Sequence, residues 1–270
     1  MHHDERPIAF FDSGVGGLPY LDSARNLMPT ERFVYAADRD GFPYGTKSKE
    51  QVVALSIRAI SALIARTDPK ALVVACNTAT ELAIDEIRAA NPGIPVIGTV
   101  PAIKPAAALS ATKRIGVIAT PAAAAAEYLS ALAREFAADC ELVKIGDGAL
   151  VDFVERRFLG STREERIEAV APSVRSLVDR GVDTIVLGCT HFLHLSREFR
   201  EAAGPGIAIV DSRDGISTRL KSVLGSGRER GAAIAADRHD AMYLTGLGAF
   251  GPVYGGFAAL FRLECAGTLE

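Results

Sequence analysis

A chain of 270 residues that is 49% apolar, with net charge −3 and pI near 6.0, holds material for one large core or two ordinary ones. Charges of both signs are interspersed without a long basic run, which argues against nucleic acid or an anionic membrane as partner. No apolar stretch reaches the roughly 20 residues a bilayer requires, and the first six residues lack an apolar signal core, so a soluble cytoplasmic protein is expected. In that reducing setting the four cysteines read as thiols rather than disulfides.

Short apolar runs alternate with longer helical patterns along the chain. Strands are expected at 8–11, 33–36, 71–75, 96–98, 115–119, 141–145, 184–187 and 208–210, and helices at 49–66, 80–90, 122–136, 163–180 and 215–223. The strand segments are β-branched and almost continuously apolar, as strands of a parallel sheet buried on both faces are. Pro19 suits the opening of a helix, and Asn91-Pro92-Gly93 closes one. Beyond residue 225 the periodicity fades; Gly225-Ser-Gly227, Gly246-Leu-Gly248 and Gly255-Gly256 read as turns.

A repeat runs through this pattern. Ile8-Ala-Phe-Phe-Asp-Ser13 resembles Ile115-Gly-Val-Ile-Ala-Thr120 at an offset of 107, and 71–78 resembles 184–191 at an offset of 113. Duplicated α/β lobes are therefore expected, one from 1–99 completed by 211–270 and one from 100–210, with a ligand cleft between them.

Cys76 and Cys189 close matching apolar runs. One is followed by Asn77-Thr78 and the other by Thr190-His191. A cysteine at a helix N-terminus is expected to have a lowered pKa. Asp12, at the end of the first strand, reads either as a helix cap or as a charge that assists proton transfer. The Gly14-Val-Gly-Gly17 run after it is not a dinucleotide fingerprint. Asn77, Thr78 and Thr190 can cap helices or hold a carboxylate, and Tyr44 stands on a Pro43-Tyr-Gly45 turn. His191 can hydrogen-bond or protonate near Cys189. Cys140 reads as a small buried thiol, Cys265 lies in a Gly-rich tail without chemical context, His194 suits a helix surface, and His2, His3 and His239 have no polar company.

Three chemistries use two thiols and a histidine. The spacing lacks the paired cysteines of structural zinc, so no metal is expected. A cysteine hydrolase leaves the second thiol without a role. Two-base proton transfer uses both, one thiol on each face of a tetrahedral carbon.

Asp12-Ser-Gly-Val-Gly-Gly-Leu18, Phe42-Pro-Tyr-Gly45, Ala75-Cys-Asn-Thr-Ala79, Ile115-Gly-Val-Ile-Ala-Thr120 and Gly188-Cys-Thr-His191 together resemble the glutamate racemase family, within the Asp/Glu racemase superfamily. The resemblance implies two α/β lobes and cofactor-independent interconversion of L- and D-glutamate for peptidoglycan synthesis. It implies Cys76 as the thiol acting on D-glutamate and Cys189 as the one acting on L-glutamate, assisted by Asp12 and His191. Ser13, Pro43, Tyr44, Gly45, Asn77, Thr78, Thr120 and Thr190 would hold the substrate, and Glu155 would stand behind the histidine. An aspartate racemase is the nearest alternative; a one-cysteine decarboxylase of the superfamily and a non-catalytic two-lobed binding protein are more distant ones. The chain departs from the family pattern at Ala123, at Phe192-Leu-His-Leu195 and at Gly98-Thr-Val-Pro101. The oligomeric state, a homodimer included, is left open.

Overall fold

The computed structural model of the chain describes residues 4–225 and 239–270. Met1, His2, His3 and the expected turn residues Ser226 and Gly227 lie outside the described residues. The chain divides into two compact units, Met1–Thr99 with Arg213–Glu270, and Val100–Ser212. No helix is long and apolar enough to cross a membrane, among the described residues.

The first unit runs β1 (Ile8–Asp12), α1 (Leu18–Leu27), β2 (Phe33–Ala37), α2 (Lys49–Thr67), β3 (Ala71–Val74), α3 (Asn77–Ala90) and β4 (Val96–Gly98). The second runs α4 (Ile103–Leu109), β5 (Arg114–Ala119), α5 (Pro121–Ala125), α6 (Glu127–Phe136), β6 (Glu141–Gly146), α7 (Gly148–Arg156), α8 (Arg163–Val178), β7 (Thr184–Leu187), α9 (Ser196–Ala203) and β8 (Ala208–Val210). The chain then returns to the first unit with α10 (Arg213–Leu224), β9 (Ala241–Thr245), α11 (Gly251–Leu260) and β10 (Glu264–Leu269).

Every strand pair is parallel. The first sheet has the order β10-β9-β2-β1-β3-β4 and the second β6-β5-β7-β8. The second order repeats the β2-β1-β3-β4 part of the first. Register repeats as well: Phe11 pairs with Val74 and Ile118 with Leu187, so each cysteine stands two residues beyond an equivalent pair. The 107- and 113-residue offsets of the sequence thus fall on equivalent strand positions.

β1, β2, β3 and β7 are buried along their whole length, which is why they read as continuous apolar runs. Phe10, Phe11 and Phe33 are fully buried, each stabilising the fold by about 1.5–3 kcal/mol. The expectation of two-sided burial fails at β4, β6 and β8, which are partly exposed. All three are edge strands, with one side left without a neighbouring strand. Helix starts follow side-chain chemistry: Ser48 with Gln51 and Thr162 with Glu165 form capping boxes at α2 and α8.

The returning segment corrects the expectation of loop after residue 225. β9 and β10 extend the first sheet, and Gly255 and Gly256 lie inside α11 rather than in a turn. A buried ion pair fastens this segment. Arg25 on α1 donates from Nε to Asp240 Oδ2 (2.9 Å) and from Nη1 to the Phe261 carbonyl (2.8 Å), while Asp240 Oδ1 accepts the Phe33 N–H (2.8 Å). Cys265 is therefore an exposed strand residue, and His239 has company in Glu264, 3.8 Å away. Cys140 is only half-buried, with its sulfur 3.5 Å from Asp139. The expected 122–136 helix is two helices, because Ala126 adopts extended angles (φ −69°, ψ 149°).

Candidate active site

In the first unit the site begins where β1 ends. Asp12 is fully buried, and its Oδ1 accepts the Gly14 N–H at 2.7 Å. It caps the turn that follows, not the helix; the residue at the helix cap is Gly17. Tyr35 of β2 holds the same turn, donating to the Gly14 carbonyl (2.8 Å) and accepting from Gly17 N–H (3.1 Å). Gly17 is required by close approach. A Cβ there would lie 2.7 Å from Ala75 Cβ and 2.9 Å from the Ala75 carbonyl oxygen. Gly17→Ala is expected to cost about 1–3 kcal/mol of stability through overpacking, read as a lowered Tm. An unchanged Tm would show that the α1–β3 approach is looser than this.

Cys76 occupies the cap position of α3 in extended conformation (φ −132°, ψ 117°), and Asn77 and Thr78 are the first two helical residues. Its thiol donates toward Ser13 Oγ at 3.8 Å. The expected lowering of its pKa is overturned: it is pushed up to about 12. Burial is the main cause and the Asp12 carboxylate the second; the hydrogen bonds from Ala79 N–H and Ser13 oppose them and lose. Because the thiolate is the nucleophile, Cys76 should resist iodoacetamide at pH 8 while exposed Cys265 is labelled, as mass spectrometry of the peptides would reveal. Rapid labelling of Cys76 at that pH would contradict a buried neutral thiol.

Tyr44 stands in the 3₁₀ turn Tyr44–Thr46, flanked by half-buried Pro43 and Gly45. It is buried in the same apolar cluster as Cys76, and its hydroxyl donates to Asp38 Oδ2 at 2.6 Å. Burial first, and the Asp38 charge second, hold that hydroxyl well above the usual tyrosine range.

In the second unit Cys189 has almost the same backbone conformation as Cys76 (φ −130°, ψ 138°) and begins a 3₁₀ helix, Thr190–Leu195. Thr190 and His191 are buried. His191 places Nδ1 3.9 Å from Cys189 Sγ and Nε2 3.0 Å from Glu155 Oε2. Glu155, in the last turn of α7, is itself buried. Burial alone would lower the imidazole pKa; hydrogen bonds to Cys189 and Glu155 and their negative charge outweigh it and raise the pKa well above the ordinary histidine value. The arrangement is a carboxylate–imidazolium–sulfur chain that directs an N–H toward sulfur.

Thr120, at the end of β5, corresponds in register to Ser13 and accepts the Ala123 N–H at 3.3 Å as helix cap. At the departures from the family pattern, Ala123 packs beside the apolar cluster of the second unit, and Phe192 and Leu195 are fully buried core residues. His194 lies on the 3₁₀ helix with its ring 5.5 Å from that of Phe158. The sequence offered no motif for Tyr35, Asp38 or Thr245, although Asp38, like Asp12, is an acidic residue next to the end of an apolar strand.

The model of the Asp/Glu/Hydantoin racemase family matches residues 22–214. The chain is 40% identical to the glutamate racemase of Sphingopyxis alaskensis over 220 residues, 80% of this chain and 81% of that one. It is 37% identical to the glutamate racemase of Treponema pallidum over 265 residues, 97% and 96% of the two chains. The crystal structure of Escherichia coli glutamate racemase in complex with L-glutamate and the activator UDP-MurNAc-ala superposes with TM-score 0.82 at 31% identity, covering 98% of each chain. With the four-strand order of the second sheet repeated inside the first and a cysteine at the same place on each, this chain belongs to the Asp/Glu/Hydantoin racemase family.

Proposed function

We propose that the protein racemizes glutamate by passing a proton through Cα between its own two thiols. The observation that carries this is the matched pair itself. Cys76 and Cys189 end equivalent strands in nearly the same backbone conformation, each beside its own polar partners. The glutamate racemases at 37–40% identity support glutamate as the substrate.

From L-glutamate, Cys189 as thiolate takes the Cα proton, and Cys76 delivers its thiol proton to the opposite face of the carbanion. Cys189 ends as thiol and Cys76 as thiolate, and the reverse direction restores both. A Cys76 held protonated by burial and by Asp12 is ready to donate. His191, kept protonated by its contacts with Cys189 and Glu155, places Nδ1 3.9 Å from Cys189 Sγ. Asp12 and His191 assist their respective thiols. Ser13, Asn77, Thr78, Thr120, Thr190 and the Pro43-Tyr44-Gly45 turn hold the substrate's carboxylates and ammonium, with the α3 N–H groups suited to a carboxylate. The D-glutamate formed would serve peptidoglycan synthesis in the cytoplasm.

Incubation with L-glutamate in deuterated water, without added cofactor, tests this. Loss of circular dichroism together with deuterium at Cα is expected. Unchanged glutamate, with aspartate racemized instead, would transfer the assignment to aspartate; neither reaction would refute racemization by this chain.

A further inference from the structure

Resting on the glutamate reading above, we propose that Asp38 is a positioning residue of this reaction, clamped between Thr245 and Tyr44, so that strand β9 of the returning segment sets the Tyr44 turn beside Cys76. All three side chains are buried, Asp38 at 0%, Tyr44 at 1% and Thr245 at 4% exposure. The Asp38 carboxylate accepts the Tyr44 hydroxyl on Oδ2 (2.6 Å), and the Thr245 hydroxyl and the Gly41 N–H (3.3 Å) on Oδ1. Thr245 Oγ1 in turn accepts the Asp40 N–H at 3.3 Å. One hydroxyl thus ties β9 to both the backbone and the side chain of the segment leading to Tyr44.

The surroundings are built for this contact. A Cβ on Gly41 would lie 2.0 Å from Asp38 Oδ2, so only glycine lets the carboxylate seat. Arg39 reaches across to the Leu247 and Ala249 carbonyls at 2.7 and 3.0 Å, fastening the same two segments a second time. The two oxygens of this buried carboxylate accept from three donors, and removing one donor leaves a buried acceptor under-satisfied at a cost.

The second unit repeats the device. Asp38 donates its N–H to the Asp12 carbonyl, and Asp147, at the equivalent place after β6, donates its N–H to the Ala119 carbonyl, both at 2.9 Å. Asp147 accepts the Leu150 N–H (3.1 Å) and the Ser173 hydroxyl (2.6 Å), holding the start of α7, the helix that carries Glu155. In each unit a carboxylate just past the second strand holds the segment that delivers a neighbour to the cysteine region.

The test compares Thr245→Val, Thr245→Ser and Asp38→Asn with the wild type. L- and D-glutamate are equal in free energy, so kcat/KM must fall equally in both directions; about a tenfold fall is expected for Thr245→Val. The primary isotope effect on D-glutamate deuterated at Cα should rise and that on deuterated L-glutamate should fall, because the slowed step is the one at Cys76. Thr245→Ser, which keeps the hydroxyl, should restore both values. Iodoacetamide labelling of Cys76 should quicken several-fold in Thr245→Val and Asp38→Asn but not in Thr245→Ser, whatever the substrate. Wild-type labelling and kinetics in Thr245→Val, or a loss that leaves KM and both isotope effects unchanged and that serine does not rescue, would overturn the proposal. A wild-type enzyme that fails to racemize glutamate would sink the functional reading instead, and the labelling comparison would still decide whether Thr245 and Asp38 position the Cys76 region.

Discussion

Cys76→Ala and Cys189→Ala are each expected to lower kcat/KM for glutamate by at least about 10³-fold, and by the same factor from L- as from D-glutamate. The size follows from the work each thiol does. A positioned acid or base contributes about 10²–10⁴-fold, and every turnover in either direction uses one thiol as base and the other as acid. A 10³-fold loss is about 4 kcal/mol of transition-state stabilisation. The equality follows from the reaction: enantiomers have equal free energy in water, so no variant can be slow one way and fast the other in kcat/KM. Circular dichroism followed from both enantiomers measures this directly. Serine in place of cysteine separates the thiols, since a weak hydroxyl base makes its own proton transfer slower. Cys76→Ser should raise the isotope effect on deuterated D-glutamate, and Cys189→Ser that on deuterated L-glutamate. Wild-type racemization by either alanine variant would end the two-thiol mechanism.

Legibility tracked burial only in part, since the partly exposed edge strands β4, β6 and β8 were read from the sequence and the interior strand β9 was not. β1, β2, β3, β5 and β7 were readable because strands inside a parallel sheet must be apolar on both faces, and their runs are. β10 was not: it is an edge strand with a register shift between Cys265 and Gly267, and it has no need of an apolar run. α11 was hidden by Gly255 and Gly256, whose weak helix propensity is overridden where Phe257 and Ala258 pack inward. The break at Ala126 lies in a run of alanines that contains no stop signal. The two thiols were legible as a pair because duplication places the same residue after the same strand. The sign of the Cys76 pKa shift was not, because it depends first on how deeply the fold buries the thiol and second on Asp12, which arrives from another strand. Asp38 and Thr245 are 207 residues apart, and no local pattern joins them.

Glu155→Gln isolates the charge behind His191, and its clearest signature is in the pH profile. In the native site His191 is buried, which by itself would drive off its proton; contact with Cys189 and Glu155 keeps the proton on. Glutamine retains shape and hydrogen-bonding capacity but not the negative charge 3.0 Å from Nε2, so the imidazole pKa must fall. The loss of activity at neutral pH should be about 10–100-fold, the equivalent of a buried charged hydrogen bond worth about 1–3 kcal/mol. The alkaline limb of kcat/KM should move to lower pH, because the imidazolium is lost sooner. Stability should change in the same sense. A histidine with a raised folded pKa stabilises the fold fully below its unfolded value near 6.5 and loses that contribution as pH rises through the folded value. Wild type should therefore lose stability toward alkaline pH more steeply than Glu155→Gln does. Glu155→Asp, which keeps the charge on a shorter arm, should hold the alkaline limb closer to that of the wild type. An alkaline limb that Glu155→Gln leaves in place would mean that Glu155 contributes packing alone, and that Cys189 sets the proton inventory of its half of the reaction through His191 without the carboxylate.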